Sequence, residues 1–211
     1  TLYQKGLTED HPDLQTLLSH PQFQIEEIND HWFMDLPDEG LALKLFHELD
    51  SPASKANLLR LAILYQKGGV YLDTDTITIK SVKPLLSEQG FIGKEHVALP
   101  REYFSSRNPL KYLGVAWRFP YRELCARLPW GRSWFKPAEE FFYQSVNNAV
   151  VGSIPKHPLI HQAFVTIKAM SATEQRKRFR LGTHLMQDVT QNTDAQEFRV
   201  FPPTYFYPLG P

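Results

Sequence analysis

Apolar positions recur along this chain with two different periods, and the changes of period mark its elements. Leu41, Leu45, Phe46 and Leu49 stand at helical spacing, so 38–49 reads as an amphipathic helix. Ser51-Pro52 breaks it. From Ser54 the pattern resumes, with Leu59, Ile63 and Leu64 as the stripe that buries a second helix. Lys67-Gly68-Gly69 ends that helix, glycine being free to take a left-handed cap. Val70-Tyr71-Leu72 reads as a short buried strand, and Thr76–Ile79 alternates again before Pro84.

The flanks follow the same logic. Asp10–His20 suggests a short helix capped by Asp10 with Leu14, Leu17 and Leu18 inward, and Gln22–Glu26 a half-exposed strand through Phe23 and Ile25. Later strands are expected around His96–Leu99, Ala149–Val151 and Phe198–Phe201. Helices are expected over Pro137–Gln144, Pro158–Met170 and Gly182–Asn192, and Ser171 to Glu174 has capping-box spacing. Strands alternating with helices imply an α/β fold with a mixed sheet. From Arg101 to Lys136 the periodicity fails, with Pro109, Pro120, Pro129 and Gly131 interrupting it, so an irregular functional loop is expected there. One domain over 1–211, with 94–144 as a basic, aromatic insertion or lid, accounts for this pattern.

Composition narrows the classes. The 211 residues, 42% hydrophobic and 22% charged, suit one soluble globular core. No apolar run is long enough to span a bilayer. The net charge of zero argues against a general nucleic-acid binder. Its distribution is uneven: residues 1–50 hold eleven acids against Lys5 and Lys44, giving −9. Residues 94–136 hold nine bases against Glu95, Glu102 and Glu123, giving +6. Tyr103, Phe104, Tyr112, Trp117, Phe119, Tyr121, Trp130, Trp134 and Phe135 interleave with those bases, a combination suited to an anionic acceptor, a sugar ring or peripheral membrane contact through 101–136. The single Cys125 and the lack of zinc-ligand spacing fit a reducing compartment, cytoplasmic or at the inner face of a membrane. The chain begins at Thr1, so a host cell or the Golgi lumen stays open should a targeting segment have been removed.

Chemistry concentrates at Asp73-Thr74-Asp75, where the short strand emerges. Two carboxylates so spaced can converge on one hard cation, Mn²⁺ or Mg²⁺, which keeps open positions for water or phosphate oxygens. Such an ion could hold a diphosphate and stabilise its charge as a leaving group departs. Arg60, one turn after Asn57 on the preceding helix, brings a permanently charged fork suited to phosphate or sugar hydroxyls. Phosphoryl transfer with Asp73 as nucleophile is the second reading. Ile77 stands where that chemistry wants Thr or Val, and Asp188 and Asp194 do not complete its metal site.

Asn57-Leu-Leu-Arg60, Leu64-Tyr65 and Gly68-Gly69-Val70-Tyr71-Leu72-Asp73-Thr74-Asp75 together resemble the signature of the DXD sugar-binding-region glycosyltransferases. That family takes in initiating mannosyltransferases, a globotriaosyl galactosyltransferase and bacterial polysaccharide enzymes; glucosylating clostridial toxins share the motif. A weaker likeness runs through Asn148 to Ser153 with His157-Pro158, then Gly182, then Phe206-Tyr207-Pro208. The resemblance implies a GT-A-like fold and a metal-dependent retaining glycosyltransferase, a hexosyltransferase acting from a nucleotide diphosphate sugar on a hydroxyl acceptor. It implies Mn²⁺ (or Mg²⁺) on Asp75 and Asp73, with Asp73, Asp75 and Arg60 as the catalytic group. It also implies a donor, a UDP-sugar ahead of a GDP-sugar, bound through Asn57, Arg60, Gly69, Tyr71, Asp73, Asn148, Gly182 and Thr183. The acceptor would be a carbohydrate, a lipid-linked sugar or a protein. This chain departs from the family at Ala56-Asn57, where Ser-Asp is usual, and at Thr183, where proline follows the glycine. The customary first strand is not recognisable before residue 10. A GT-A-like binding domain without turnover is the reading those departures leave open.

Overall fold

A computed structural model of the protein describes residues 15–16, 19–22, 24, 26, 28–77, 79–100, 103, 108–192 and 197–207. The expected helix at 10–20 and strand at 22–26 rest on Asp10, Leu14, Leu17, Leu18, Phe23 and Ile25, which lie outside these residues. Helix α1 spans Glu39–Glu48, its amides capped by the Asp38 carboxylate, which accepts from the Leu41 amide at 3.3 Å. Helix α2 spans Pro52–Lys67. Ser51 caps it, and Pro52 sits in the first turn, where no N–H partner is needed. Of the expected stripe Leu59, Ile63 and Leu64, the two leucines are buried and Ile63 is half-buried, while Leu58, Leu61 and Ala62 are buried as well, so α2 is enclosed on most of its circumference.

Gly68 ends α2 with φ +66°, and Gly69 follows at φ +97°. A Cβ on Gly68 would stand 2.7 Å from Pro155 Cδ and 2.7 Å from the Ser153 carbonyl oxygen. Conformation and space therefore both demand glycine. Gly68→Ala is expected to cost roughly 1–3 kcal/mol, read as a lower urea midpoint with an unchanged slope.

Four strands form one mixed sheet in the order β1-β3-β2-β4. They are β1 (Gly69–Leu72), β2 (Gly90–Val97), β3 (Tyr143–Ser153) and β4 (Phe198–Phe201). Strands β1 and β2 flank β3 in antiparallel register, and β4 runs parallel to β2. Helices α3 (Pro109–Ala116), α4 (Arg118–Arg127) and α5 (Gly131–Phe135) lie between β2 and β3 in sequence. Helices α6 (Pro158–Ala169), α7 (Ala172–Gln175) and α8 (Thr183–Asn192) separate β3 from β4, and α9 (Pro203–Phe206) follows. Ile92, Val146 and Val151 face a large core shared with α2, α6 and α8. Phe91, Val150 and Phe201 face a smaller one with Leu85 and Phe206. This mixed sheet between helices is the GT-A-like arrangement that the motif implied. Among the described residues no helix is long and apolar enough to cross a membrane.

Several expectations are corrected. Strand β1 is not buried: it lies at the sheet edge and its ends are exposed. Thr76–Ile79 forms no strand among its described residues, and Ile77 and Ile79 are 84% and 77% exposed. The chain turns at Asp73 and leaves β3, so the alternation has no ladder to join. Strand β2 begins at Gly90 rather than near His96, because Gly90 and Gly93 conceal it; Cβ atoms there would meet Phe198 and Phe206. Strand β3 is far longer than Ala149–Val151, its polar residues Gln144, Ser145, Asn147 and Asn148 hiding the pattern. Residues 109–135 are not irregular but helical. Pro109 opens α3, Pro120 lies in the first turn of α4, and Pro129 and Gly131 make the turn into α5. A 3₁₀ turn over Lys136–Phe141 replaces the helix expected at 137–144. These helices share a third small core of Ala98, Cys125, Phe135 and Phe142.

Candidate active site

The two aspartates occupy a tight turn, not a continuing strand. The Asp73 amide donates to the Ala149 carbonyl at 2.9 Å as the last bond of the β1–β3 pairing, and the Asp73 carbonyl accepts from the Thr76 amide at 3.0 Å. Thr74 and Asp75 are thus the central residues of a β-turn at the sheet edge. Asp75 is exposed, and its carboxylate has no hydrogen bond or ion pair among the described residues. Asp73 is held from behind: Arg60 Nη2 donates to its Oδ1 at 2.6 Å, where the Asp73 side chain is 34% exposed and Arg60 only 5%. The Arg60 guanidinium also lies 4.1 Å from the Tyr71 ring centroid and donates through Nη1 to Asn57 Oδ1 at 3.1 Å. Its Nε is buried without a partner among the described residues. Burial raises the Tyr71 phenol above its ordinary value, the Asp73 charge adds to this, and Arg60 opposes both.

Local rules explain this cluster. Asn57 and Arg60 are one helical turn apart on α2; Tyr71 lies on β1 and Asp73 just beyond its end, two residues on and with its amide still bonded to β3, so each pair shares a face. Gly68-Gly69 swings β1 back alongside α2, bringing the faces together.

Strand β3 supplies the other wall through a register shift. Ile92 pairs with Val151, but Gly93 pairs with Asn147, so Asn148, Ala149 and Val150 bulge out of the β2 ladder. Bulges redirect side chains. Here the shift sends two neighbouring amides to different partners. Buried Asn148 donates through Nδ2 to Asn57 Oδ1 at 2.9 Å. Asn147 Oδ1 accepts from the Ala149 amide at 2.8 Å and from the Tyr207 hydroxyl at 3.1 Å. Gly182, just before α8, abuts Asn57: a Cβ there would lie 2.7 Å from Nδ2, so only glycine lets the backbone close on that amide. Thr183 starts α8, half-buried. Asn57, Arg60, Tyr71, Asp73, Asn148 and Gly182 thus form one contiguous cluster, Asp75 projects from its rim, and Gly69 contributes backbone geometry.

Asn147 and Glu95 were not singled out from the sequence as site residues, and Tyr207 entered only within the Phe206-Tyr207-Pro208 likeness, with no role. Burial raises the Glu95 carboxyl above its usual range, opposed by a hydrogen bond from Asn147 and by the charge of Arg122. Burial drives the Tyr207 phenol well up; the Val150 backbone opposes it, and the charges of Glu95, Asp73 and Arg60 reach it more weakly. Tyr207 is accordingly a protonated hydroxyl at neutral pH. The only sequence signal for this group was the aromatic run at 205–207 and the paired asparagines.

The donor set can be weighed against a divalent metal. Among the described residues no group of three or more His, Cys, Asp or Glu surrounds any point. One free carboxylate and one half-exposed, partnered carboxylate are too few for an all-protein cage. They suit Mn²⁺ or Mg²⁺, hard ions that take much of their coordination from water and phosphate.

Residues 1–92 match the family described as the glycosyltransferase sugar-binding region containing the DXD motif. The match covers the whole α2–β1–DXD unit and bears out the resemblance drawn from residues 54–79. It points to glycosyl transfer as the general chemistry, with a sugar nucleotide and a carbohydrate as partners in general terms. No curated protein and no solved structure matches the chain.

Proposed function

We propose that the chain is a metal-dependent, retaining glycosyltransferase that moves a sugar from a nucleotide diphosphate sugar, a UDP-sugar before a GDP-sugar, to a hydroxyl acceptor. One observation carries this reading: Asp75 is free at the tip of the turn while Asp73 is fixed beside it by a buried arginine. Asp75, assisted by the oxygen of Asp73 not engaged by Arg60, would hold the ion. Bound there, Mn²⁺ or Mg²⁺ supplies positive charge for the diphosphate leaving group.

The protein's own contribution is positional. Arg60 fixes the Asp73 rotamer and offsets its charge. Asn57, held by Arg60 and Asn148, presents its amide where the family's carboxylate would stand; an amide can bond sugar hydroxyls without adding charge. Asn148 and Gly182 confine that amide, so the donor-facing wall is already organised before substrate arrives. Exposed Leu113, Trp117, Phe119, Trp130 and Trp134 on and between α3–α5 support placing the acceptor, or a membrane that carries it, against this segment.

Titration calorimetry of the intact protein with UDP and GDP, each with and without Mn²⁺, tests the donor site. UDP is expected to bind with Mn²⁺ and at least ~10-fold more weakly without it, a difference of about 1.4 kcal/mol. Metal alone is expected to bind feebly, because the protein provides so few ligands. Failure of both nucleotides to bind with Mn²⁺ would end this reading.

A further inference from the structure

A cavity of about 140 Å³ is lined by His96, Arg132, Phe135, Lys136, Glu139, Thr204 and Tyr207. Tyr207 is its link to the site already described. Tyr207, which lines this cavity, donates through its hydroxyl to Asn147 Oδ1 at 3.1 Å, and Asn147 is the immediate neighbour of Asn148, which holds Asn57. Asn57 in turn accepts from Arg60, which holds Asp73. The charges of Asp73 and Arg60 both reach the Tyr207 phenol. The cavity is thus joined to the Asn57–Arg60–Asp73 cluster through Tyr207 and Asn147, on the side formed by α5, the 3₁₀ turn after it and α9.

Its lining has an unusual balance. Arg132 and Lys136 stand four residues apart on α5 and its 3₁₀ continuation, so they share a face. Neither has an ion-pair partner among the described residues. The one carboxylate, Glu139, acts on His96, whose basicity burial lowers and Glu139 partly restores. Thr204 and Tyr207 add hydroxyl groups, and Phe135 closes the cavity, its ring 5.4 Å from that of His96. Two cations against one carboxylate, a net excess of one positive charge, with neutral hydroxyl donors around them, are complementary to an oxyanion. The volume suits a charged substituent or a single ring rather than a chain of sugars.

Resting on the glycosyltransferase reading, we infer that this cavity is an acceptor subsite selecting acceptors that carry an oxyanion, phosphate or carboxylate, close to the hydroxyl that is glycosylated. Arg132 and Lys136 provide the charge, and Tyr207 ties the subsite to Asn147, the neighbour of the Asn148 that holds Asn57.

The test uses Arg132→Gln/Lys136→Gln in the whole chain; both side chains are exposed, so the fold is expected to persist, checked by thermal melting. Methyl glucoside, methyl glucoside 6-phosphate and methyl glucuronide are titrated in the presence of UDP and Mn²⁺. The wild type is expected to bind at least one charged probe at least ~10-fold more tightly than the neutral one, in a salt-sensitive manner, and the double variant to lose that preference. A phosphate preference or a carboxylate preference then names the natural group; either supports the inference. Equal binding of all three probes, or no binding of any while UDP–Mn²⁺ still binds, overturns it and leaves the transferase reading intact. Loss of UDP–Mn²⁺ affinity in the double variant also overturns it, by assigning both cations to the donor diphosphate. Absence of UDP–Mn²⁺ binding in the wild type removes the transferase reading itself, and the acceptor role with it.

Discussion

Asp75→Ala is expected to reduce metal-dependent sugar transfer at least ~10³-fold while leaving the thermal midpoint nearly unchanged. The two halves of this expectation have separate causes. The Asp75 carboxylate is exposed at the centre of a turn and has no partner among the described residues, so its removal breaks no native contact. Exposed substitutions of that kind stay within about 0.5 kcal/mol. The protein offers the ion few other ligands, and each 1.36 kcal/mol of lost leaving-group stabilisation is tenfold in rate. Losing several kcal/mol of Lewis-acid stabilisation gives the stated factor. Initial rates against Mn²⁺ concentration, with melting curves on the same samples, check both halves. Asp75→Asn separates charge from shape: it keeps an oxygen ligand but no negative charge, and should recover little. Transfer that survives both substitutions at wild-type Mn²⁺ dependence would show that the ion is held elsewhere.

That prediction was within reach of the sequence because everything behind it is local. Helix α2, its glycine cap, β1 and the DXD turn occupy one continuous stretch, where helical spacing and glycine conformation dictate which side chains share a face. Arg60 could be placed near Asp73 from those rules alone. What they could not show is that Arg60 faces inward: it is 5% exposed, its Nη atoms engaged by Asp73 and Asn57. The other wall of the site was illegible for a physical reason. Asn147 and Asn148 sit on a strand whose polar residues disguise it, and their different directions arise from a register shift against β2 that has no local code. Tyr207 and Glu95 reach Asn147 only through tertiary packing. Around Pro109, Pro120 and Pro129 the rules misled, since proline marks a helix start as readily as a break.

The inward position of Arg60 makes it the residue where stability and activity are coupled. Arg60→Met keeps a long apolar stem against Tyr71 but removes both hydrogen bonds. A fully buried pair broken on one side costs about 3–5 kcal/mol. Here Asp73 is 34% exposed and can rehydrate, so the loss is expected nearer 1.5–3 kcal/mol, the range of hydrogen bonds to charged groups. Freed of its clamp, the Asp73 carboxylate samples other rotamers, and Asn57 loses one of its two donors. A positioning role then predicts a split that a merely structural one does not: the Mn²⁺ concentration for half-maximal activity rises together with KM for the donor. Arg60→Lys sharpens the distinction. A single ammonium can reach Asp73 or Asn57 but cannot fork between them, so it is expected to restore most of the stability and little of the activity. If Arg60→Lys instead recovers both in step, the residue serves folding alone, and the donor wall is organised without it.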